Sequence, residues 1–216
     1  MISIIFPEIL LTIFFLTVVF LHVAKKNAGM ATAYSIQSGA IAGILFSSFF
    51  QTGNISLLFI ALLIVIVKVI LAPMFFIKLI KKHELTFSVS SYLNTPLTLI
   101  IIAGLTAMAN SEKFAPLTGI IPANQTFLSF ALSAMFLSLF LIINHKGALS
   151  QIVGMLSLEN SIVAFAIFAG LEQSLGLQIG IIFNIFVWLI IATVFMSMIY
   201  EHFGTLDVTS MKKLQD

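Results

Sequence analysis

Long apolar stretches joined by short polar connections dominate this chain and decide what it can fold into. A bilayer core of about 30 Å takes about 20 mostly apolar residues per helix. Seven stretches answer that description: 2–23, 31–50, 57–77, 93–109, 126–144, 151–171 and 177–200. The fourth is short, with Pro96 and Thr98 near its start. The connections are brief and polar, for instance Ala24-Lys25-Lys26-Asn27, Gln51-Thr52-Gly53-Asn54 and His145-Lys146-Gly147. None is long enough to fold alone. The expected architecture is therefore all-α: one polytopic membrane helix bundle of about seven transmembrane helices, in contact with the lipid bilayer. It divides into a four-helix part (1–110), a three-helix part (126–200) and a tail (201–216).

The charges agree. Only 8% of the 216 residues are charged, and 60% are apolar. A soluble domain needs about 25% charged residues to cover its surface. All ten basic residues are Lys. Lys25, Lys26, Lys78, Lys81, Lys82, Lys146, Lys212 and Lys213 fall on alternate connections and the tail, against Lys113 on the other side. Lysine-rich connections stay in the cytoplasm, which puts the N-terminus outside and the C-terminus inside. Nothing basic precedes the first apolar run and Pro7-Glu8 interrupts it, so it is expected to remain as a helix rather than act as a cleaved signal.

Two charges lie within spans, where an ionised side chain costs about 2.5–3.5 kcal/mol on insertion scales. Lys68 sits in Val65-Ile66-Val67-Lys68-Val69-Ile70, and Glu159 in Leu156-Ser157-Leu158-Glu159-Asn160-Ser161. At 1.5 Å per residue, Lys68 lies about 15 Å and Glu159 about 12 Å from the cytoplasmic helix ends. They can meet at one level, as an ion pair or as members of an ion path. The bland alternatives are a snorkelling lysine, a neutral glutamic acid bonded to a neighbouring helix, and a buried staple that carries no protons.

Weaker candidates surround them. Glu8 follows Pro7 near the outer end of the first span and reads as an interfacial helix-start carboxylate. Asn184, in the seventh span, reads as interhelical glue. Asn160, Ser157 and Ser161 give the sixth span a polar stripe suited to facing protein, as Gln37, Ser35 and Ser38 do for the second. Gly39/Gly43 and Gly176/Gly180 have the four-residue interval that lets helices approach. Pro73 is expected to kink the third span and to free a backbone carbonyl near Lys68. Asn54-Ile55-Ser56 and Asn124-Gln125-Thr126 match the glycosylation acceptor.

Other chemistries find no support. The chain has no Cys, and His22, His83, His145 and His202 all fall at cytoplasmic helix ends or loops, where capping is expected rather than metal or haem ligation. No phosphate loop, dinucleotide fingerprint, nucleophile elbow or zinc-protease motif occurs. No cofactor and no nucleic-acid partner are expected. A retinal protein would carry its lysine in the last helix, and here it is in the third.

Several segments resemble the membrane subunit called component E of hydrogenase-4. These are Gln151-Ile152-Val153-Gly154, Leu158-Glu159-Asn160-Ser161, Ile179-Gly180-Ile181 and the tail His202-Phe203-Gly204-Thr205-Leu206-Asp207-Val208. Tyr34-Ser35-Ile36-Gln37-Ser38 and Lys68-Val69-Ile70-Leu71-Ala72-Pro73 follow in matching order. The resemblance implies a bacterial or archaeal inner-membrane subunit of complex I-like nickel–iron hydrogenases. Its last three helices are similar to the K subunit of complex I and the C subunit of multisubunit sodium/proton antiporters. It also implies that Glu159 belongs to a line of charged groups across the membrane arm, beside an antiporter-like partner subunit. Relatives tend to carry Asp where this chain has Asn184, which removes a second titratable group.

The expected function is then proton or sodium translocation coupled to redox chemistry in partner subunits, with Glu159 and Lys68 as the ion-translocating residues. Asn184, Asn160 and Glu8 remain candidates for a second relay or for packing. The chain itself has no catalytic residues in this reading. The competing expectation is a structural assembly subunit that carries no charge. A stand-alone transporter is disfavoured because no inverted repeat is visible.

Overall fold

A computed structural model describes residues 2–82 and 91–171, together with isolated helical positions between 176 and 198. Among the described residues the fold is helical throughout, with no strand. Five segments are long and apolar enough to cross a membrane. They correspond to the first, second, third, fifth and sixth stretches predicted from sequence. The fourth is α5 (Thr95–Ala109), whose 15 residues span about 22 Å and begin at an Asn94 cap with Pro96 in the first turn. The predicted seventh span, Asn184 and the tail with His202 lie outside the described residues, apart from those isolated helical positions.

Helix α1 (Ile2–Val23) turns through Lys25 and Lys26 into α2 (Asn27–Thr52). α2 stops at Gly53, whose φ of 68° is a left-handed cap that favours glycine. Asn54 restarts the chain: its side chain accepts the Ser56 N–H and caps α3 (Ile55–Ile64). The third span then leaves α-geometry. Residues Val65–Leu71 form a π-helical segment before α4 (Ala72–Lys82) resumes. Pro73 explains part of this, because its nitrogen has no hydrogen to give Val69 four residues back. The expected proline disruption is thus a π segment rather than a simple kink. The freed Val69 carbonyl accepts instead from Ser35 Oγ at 2.8 Å.

After α5 come a 3-10 turn (Glu112–Phe114), the short α6 (Ala115–Thr118) and a second 3-10 turn (Pro122–Asn124). The hairpin of α7 (Gln125–Asn144) and α8 (Ala148–Phe168) completes the described bundle. α2 is its centre, packed on α1, α3, the π segment, α4 and α8, while α7 packs on α8, α1 and α5. The four-helix and three-helix parts read from the sequence therefore share one core.

That core has two apolar clusters. One gathers Leu11, Phe14, Val18, Ile41, Leu45, Leu57, Ile64, Leu137, Val163 and Phe168, with others from the same helices. The second gathers Leu21, Met30, Tyr34, Ala72, Phe76, Leu141, Val153 and Leu156. Between the two clusters every one of four spans inserts buried polar residues: Gln37 and Ser38 on α2, Lys68 in the π segment, Ser138 on α7, and Ser157, Glu159, Asn160 and Ser161 on α8. A polar layer sandwiched between two apolar ones is the organising feature of the fold.

Candidate functional site in the polar layer

Lys68 and Glu159 meet. The Lys68 Nζ stands 3.1 Å from Glu159 Oε1, with the lysine side chain 1% and the glutamate side chain 10% exposed. It is the one ion pair among the described residues, and it joins positions 91 residues apart (159 − 68). The sequence argument from depth anticipates this, since both residues lie at a similar distance from their helix ends. Snorkelling is thereby replaced by a paired, buried ammonium.

The lysine's well-aligned hydrogen bond goes next door, to Asn160 Oδ1 at 2.9 Å. Asn160 is fully used: its Nδ2 donates to Gln37 Oε1 at 3.3 Å and Ser38 Oγ at 3.0 Å. Gln37 Nε2 donates in turn to Ser157 Oγ at 2.9 Å. Ser157 and Ser138 hydroxyls share a hydrogen bond at 2.9 Å, and Ser138 reaches Ser161 at 3.4 Å. The polar stripes of the second and sixth spans thus turn to protein, as their sequence pattern suggested, and the structure sets them against each other. Neither Lys68 nor Asn160 uses the carbonyl freed by Pro73, because Ser35 has already satisfied it.

Two features bear on chemistry. First, the chain of hydrogen bonds passes through two carboxamides, Asn160 and Gln37. Neutral amides hold fixed donors and acceptors, so they orient the lysine but do not hand a proton along. Second, Glu159 is different from its neighbours. Its carboxylate oxygens meet the lysine's charge but accept no well-aligned hydrogen bond among the described residues. Met155 and Ile162, four residues before and three after it on α8, are both exposed. Glu159 therefore borders the outer face of α8, whereas Lys68 and Asn160 are sealed inside.

Tyr34 was part of a quoted sequence segment but not singled out. Its ring is wholly buried edge-on to Phe76, 6.4 Å between centroids, and its hydroxyl lacks a hydrogen-bond partner among the described residues. Ser138 was missed too: the fifth span carries Ser129, Ser133 and Ser138, and nothing in the sequence marks which of the three meets the polar layer.

The remaining candidates sit elsewhere. Glu8 is exposed near the start of α1 and has no ion-pair partner among the described residues. His22 in the last turn of α1 and His145 at the C-cap of α7 sit at helix ends as expected, but both are buried rather than interfacial, with ring centroids 6.3 Å apart and His22 stacked on Phe140. His145 is covered by the chain entering α5, where Tyr92 N–H bonds the Asn144 carbonyl and Leu93 N–H bonds the Asn144 side chain. Burial holds its imidazole down to a pKa of about 4. No group of three metal-ligating side chains occurs among the described residues. His83 lies outside them.

The glycine spacings resolve differently from one another. A Cβ at Gly43 would meet the flexible Leu10 tip at 2.9 Å, and one at Gly39 would only touch Val69 at 4.0 Å. Among the described residues, nothing lies within 4 Å of where a Cβ at Gly180 would stand. The close approach is at Gly154, not flagged by spacing, where a Cβ would stand 2.9 Å from Ile142 Cγ1 and 3.3 Å from the Ile142 nitrogen. Both asparagines of the glycosylation-like triplets are engaged: Asn54 caps α3, and Asn124 Nδ2 donates to the Phe168 carbonyl at 2.9 Å.

No family model, curated protein or solved structure matches this chain.

Proposed function

We propose that this chain is an integral membrane subunit of a complex I-like respiratory or hydrogenase complex, in which Glu159 takes part in proton or sodium translocation. The observation that carries the reading is the Lys68–Glu159 pair within a buried polar layer. Intramembrane charges are costly enough to mark ion paths by default. The redox chemistry belongs to partner subunits, and the resemblance of the Glu159 and Lys68 segments to hydrogenase-4 component E supports that assignment.

The geometry divides the labour. Asn160 and Gln37 hold the Lys68 ammonium in place, and Lys68 stabilises the ionised form of Glu159. Glu159 alone offers both free carboxylate lone pairs and an outer edge. A proton or sodium ion reaches it from the α8 face, where an antiporter-like subunit would dock. Weakening the Lys68 contact favours proton uptake at Glu159, and restoring it favours release.

The test is transport by the assembled complex in proteoliposomes. Glu159→Gln should abolish or strongly reduce ion movement while leaving the electron-transfer partners assembled. Unchanged transport by that variant would overturn the reading.

A second reading has its own support. The amide-clamped layer also suits a subunit that aligns neighbouring spans without carrying charge, as part of an antiporter-like or other ion-transport assembly. It predicts intact transport in Glu159→Gln and lost assembly in Gly154→Leu, where α7 and α8 approach closely.

A further inference from the structure

The outer surface of the α1–α2 hairpin carries a groove unconnected with the polar layer. It encloses about 550 Å³ between Ile13, Leu16 and Phe20 of α1 and Gly29, Ala33 and Ile36 of α2. From residue 13 to residue 20 it runs about 10 Å along the helix axis. Two hydroxyls border it, but both are consumed within their own helices: Thr17 donates to the Phe14 carbonyl at 2.6 Å and Thr32 to the Ala28 carbonyl at 3.0 Å. The groove thus presents hydrocarbon and offers an occupant no hydrogen bond from either hydroxyl.

One end of the groove is charged. Lys25 and Lys26 are both exposed in the turn that joins the two helices, five and six residues beyond Phe20 and a few before Gly29. The opposite end, at Ile13 and Ile36, lies toward the middle of the spans. An apolar trough with two cations at its membrane-surface end matches a molecule with an acyl chain and an anionic headgroup. Gly29 keeps the entrance wide, since no atom lies within 4 Å of where its Cβ would stand.

We propose that this groove binds an anionic phospholipid, its acyl chain between α1 and α2 and its phosphate on Lys25 and Lys26. Juxtamembrane basic residues attract anionic lipid with about a fivefold gain each, so the pair should favour it by roughly 30-fold over a zwitterionic lipid.

The experiment is native mass spectrometry of the full chain exchanged between detergent and nanodiscs containing phosphatidylglycerol and phosphatidylcholine in equal amounts. The native protein should retain phosphatidylglycerol with roughly that preference. Lys25→Gln/Lys26→Gln should remove the preference. Lys146→Gln controls for general surface charge, since Lys146 lies at the same end of the bundle and sits over the Tyr92 ring at 5.0 Å. Gly29→Leu, whose Cβ would meet none of the described atoms within 4 Å, should lower retention of phosphatidylglycerol with its lysines intact. The chain has no cysteine, so Thr32→Cys carrying a photoreactive label reads the occupant directly, and lipid adducts support the site. No headgroup preference, an equal response to Lys146→Gln, or cross-links to protein in place of lipid would each overturn it.

Discussion

Replacing Lys68 with Met removes the one cation facing Glu159 while keeping most of the side chain's volume. The carboxylate then sits 10% exposed with no ion-pair partner among the described residues, and Asn160 Oδ1 loses its donor. Breaking one partner of a buried pair typically costs about 3–5 kcal/mol, because the survivor keeps its desolvation penalty. Glu159 can shed its charge by binding a proton, so the lower end, about 3 kcal/mol, is expected. For a chain of this size that corresponds to a fall of roughly 6–12 °C in unfolding temperature. Glu159→Gln alone should cost less, since Asn160 still accepts from the ammonium. The double variant Lys68→Met/Glu159→Gln removes both charges and should recover to within about 1 kcal/mol of the native chain, as charge-free replacements of buried pairs commonly do. The assay is thermal unfolding of all four proteins in one detergent, closed as a double-mutant cycle. Additive effects, with the double variant as unstable as the sum of the singles, would refute the pair as the determinant of this layer.

Three further outcomes follow from packing and protonation. Gly154→Ala should lower stability by about 1–3 kcal/mol through the Ile142 contact, whereas Gly104→Ala, with open space around its Cβ, should be neutral or slightly stabilising in the same unfolding assay. Ser35→Ala strands the Val69 carbonyl and should cost about 1–2 kcal/mol, with the loss absent when Pro73→Ala restores a backbone donor. His145, with a folded pKa of about 4 against 6.5 for the free side chain, binds its proton later than the unfolded chain does. Its contribution is complete above pH 6.5 and is lost as pH falls toward 4, by up to roughly 3 kcal/mol. His145→Asn, which leaves the facing His22 in place, should flatten that part of the stability–pH curve.

Spans were legible because the bilayer dictates helix length and composition, and those are local properties of sequence. Their ends shifted modestly: α2 begins at Asn27 rather than 31, and α8 at Ala148 rather than 151, since the hydropathy of a span does not mark where its first helical turn begins. That Lys68 and Glu159 could meet was legible through depth, a one-dimensional quantity, but not that they would. What depth does not give is rotation about the helix axis. It therefore left open that Lys68 would choose Asn160 for its hydrogen bond and that Ser138 would complete the layer. The helix-end positions of His22 and His145 were legible but their burial was not, for the same reason: tertiary packing closes those ends over one another. Pro73 announced a disturbance without revealing its form, because a missing backbone donor alone does not say whether the helix kinks or widens into a π segment.

The central claim is that Glu159 gains and loses a proton or cation during turnover. Infrared difference spectroscopy of the assembled complex, recorded between resting and turning-over states, measures this directly. A turnover-linked change at Glu159 that is missing in Glu159→Gln is the predicted result: a carboxylic C=O stretch if it carries a proton, or shifted carboxylate bands if it carries sodium. A Glu159 carboxylate signal that stays constant while the complex transports ions would contradict it.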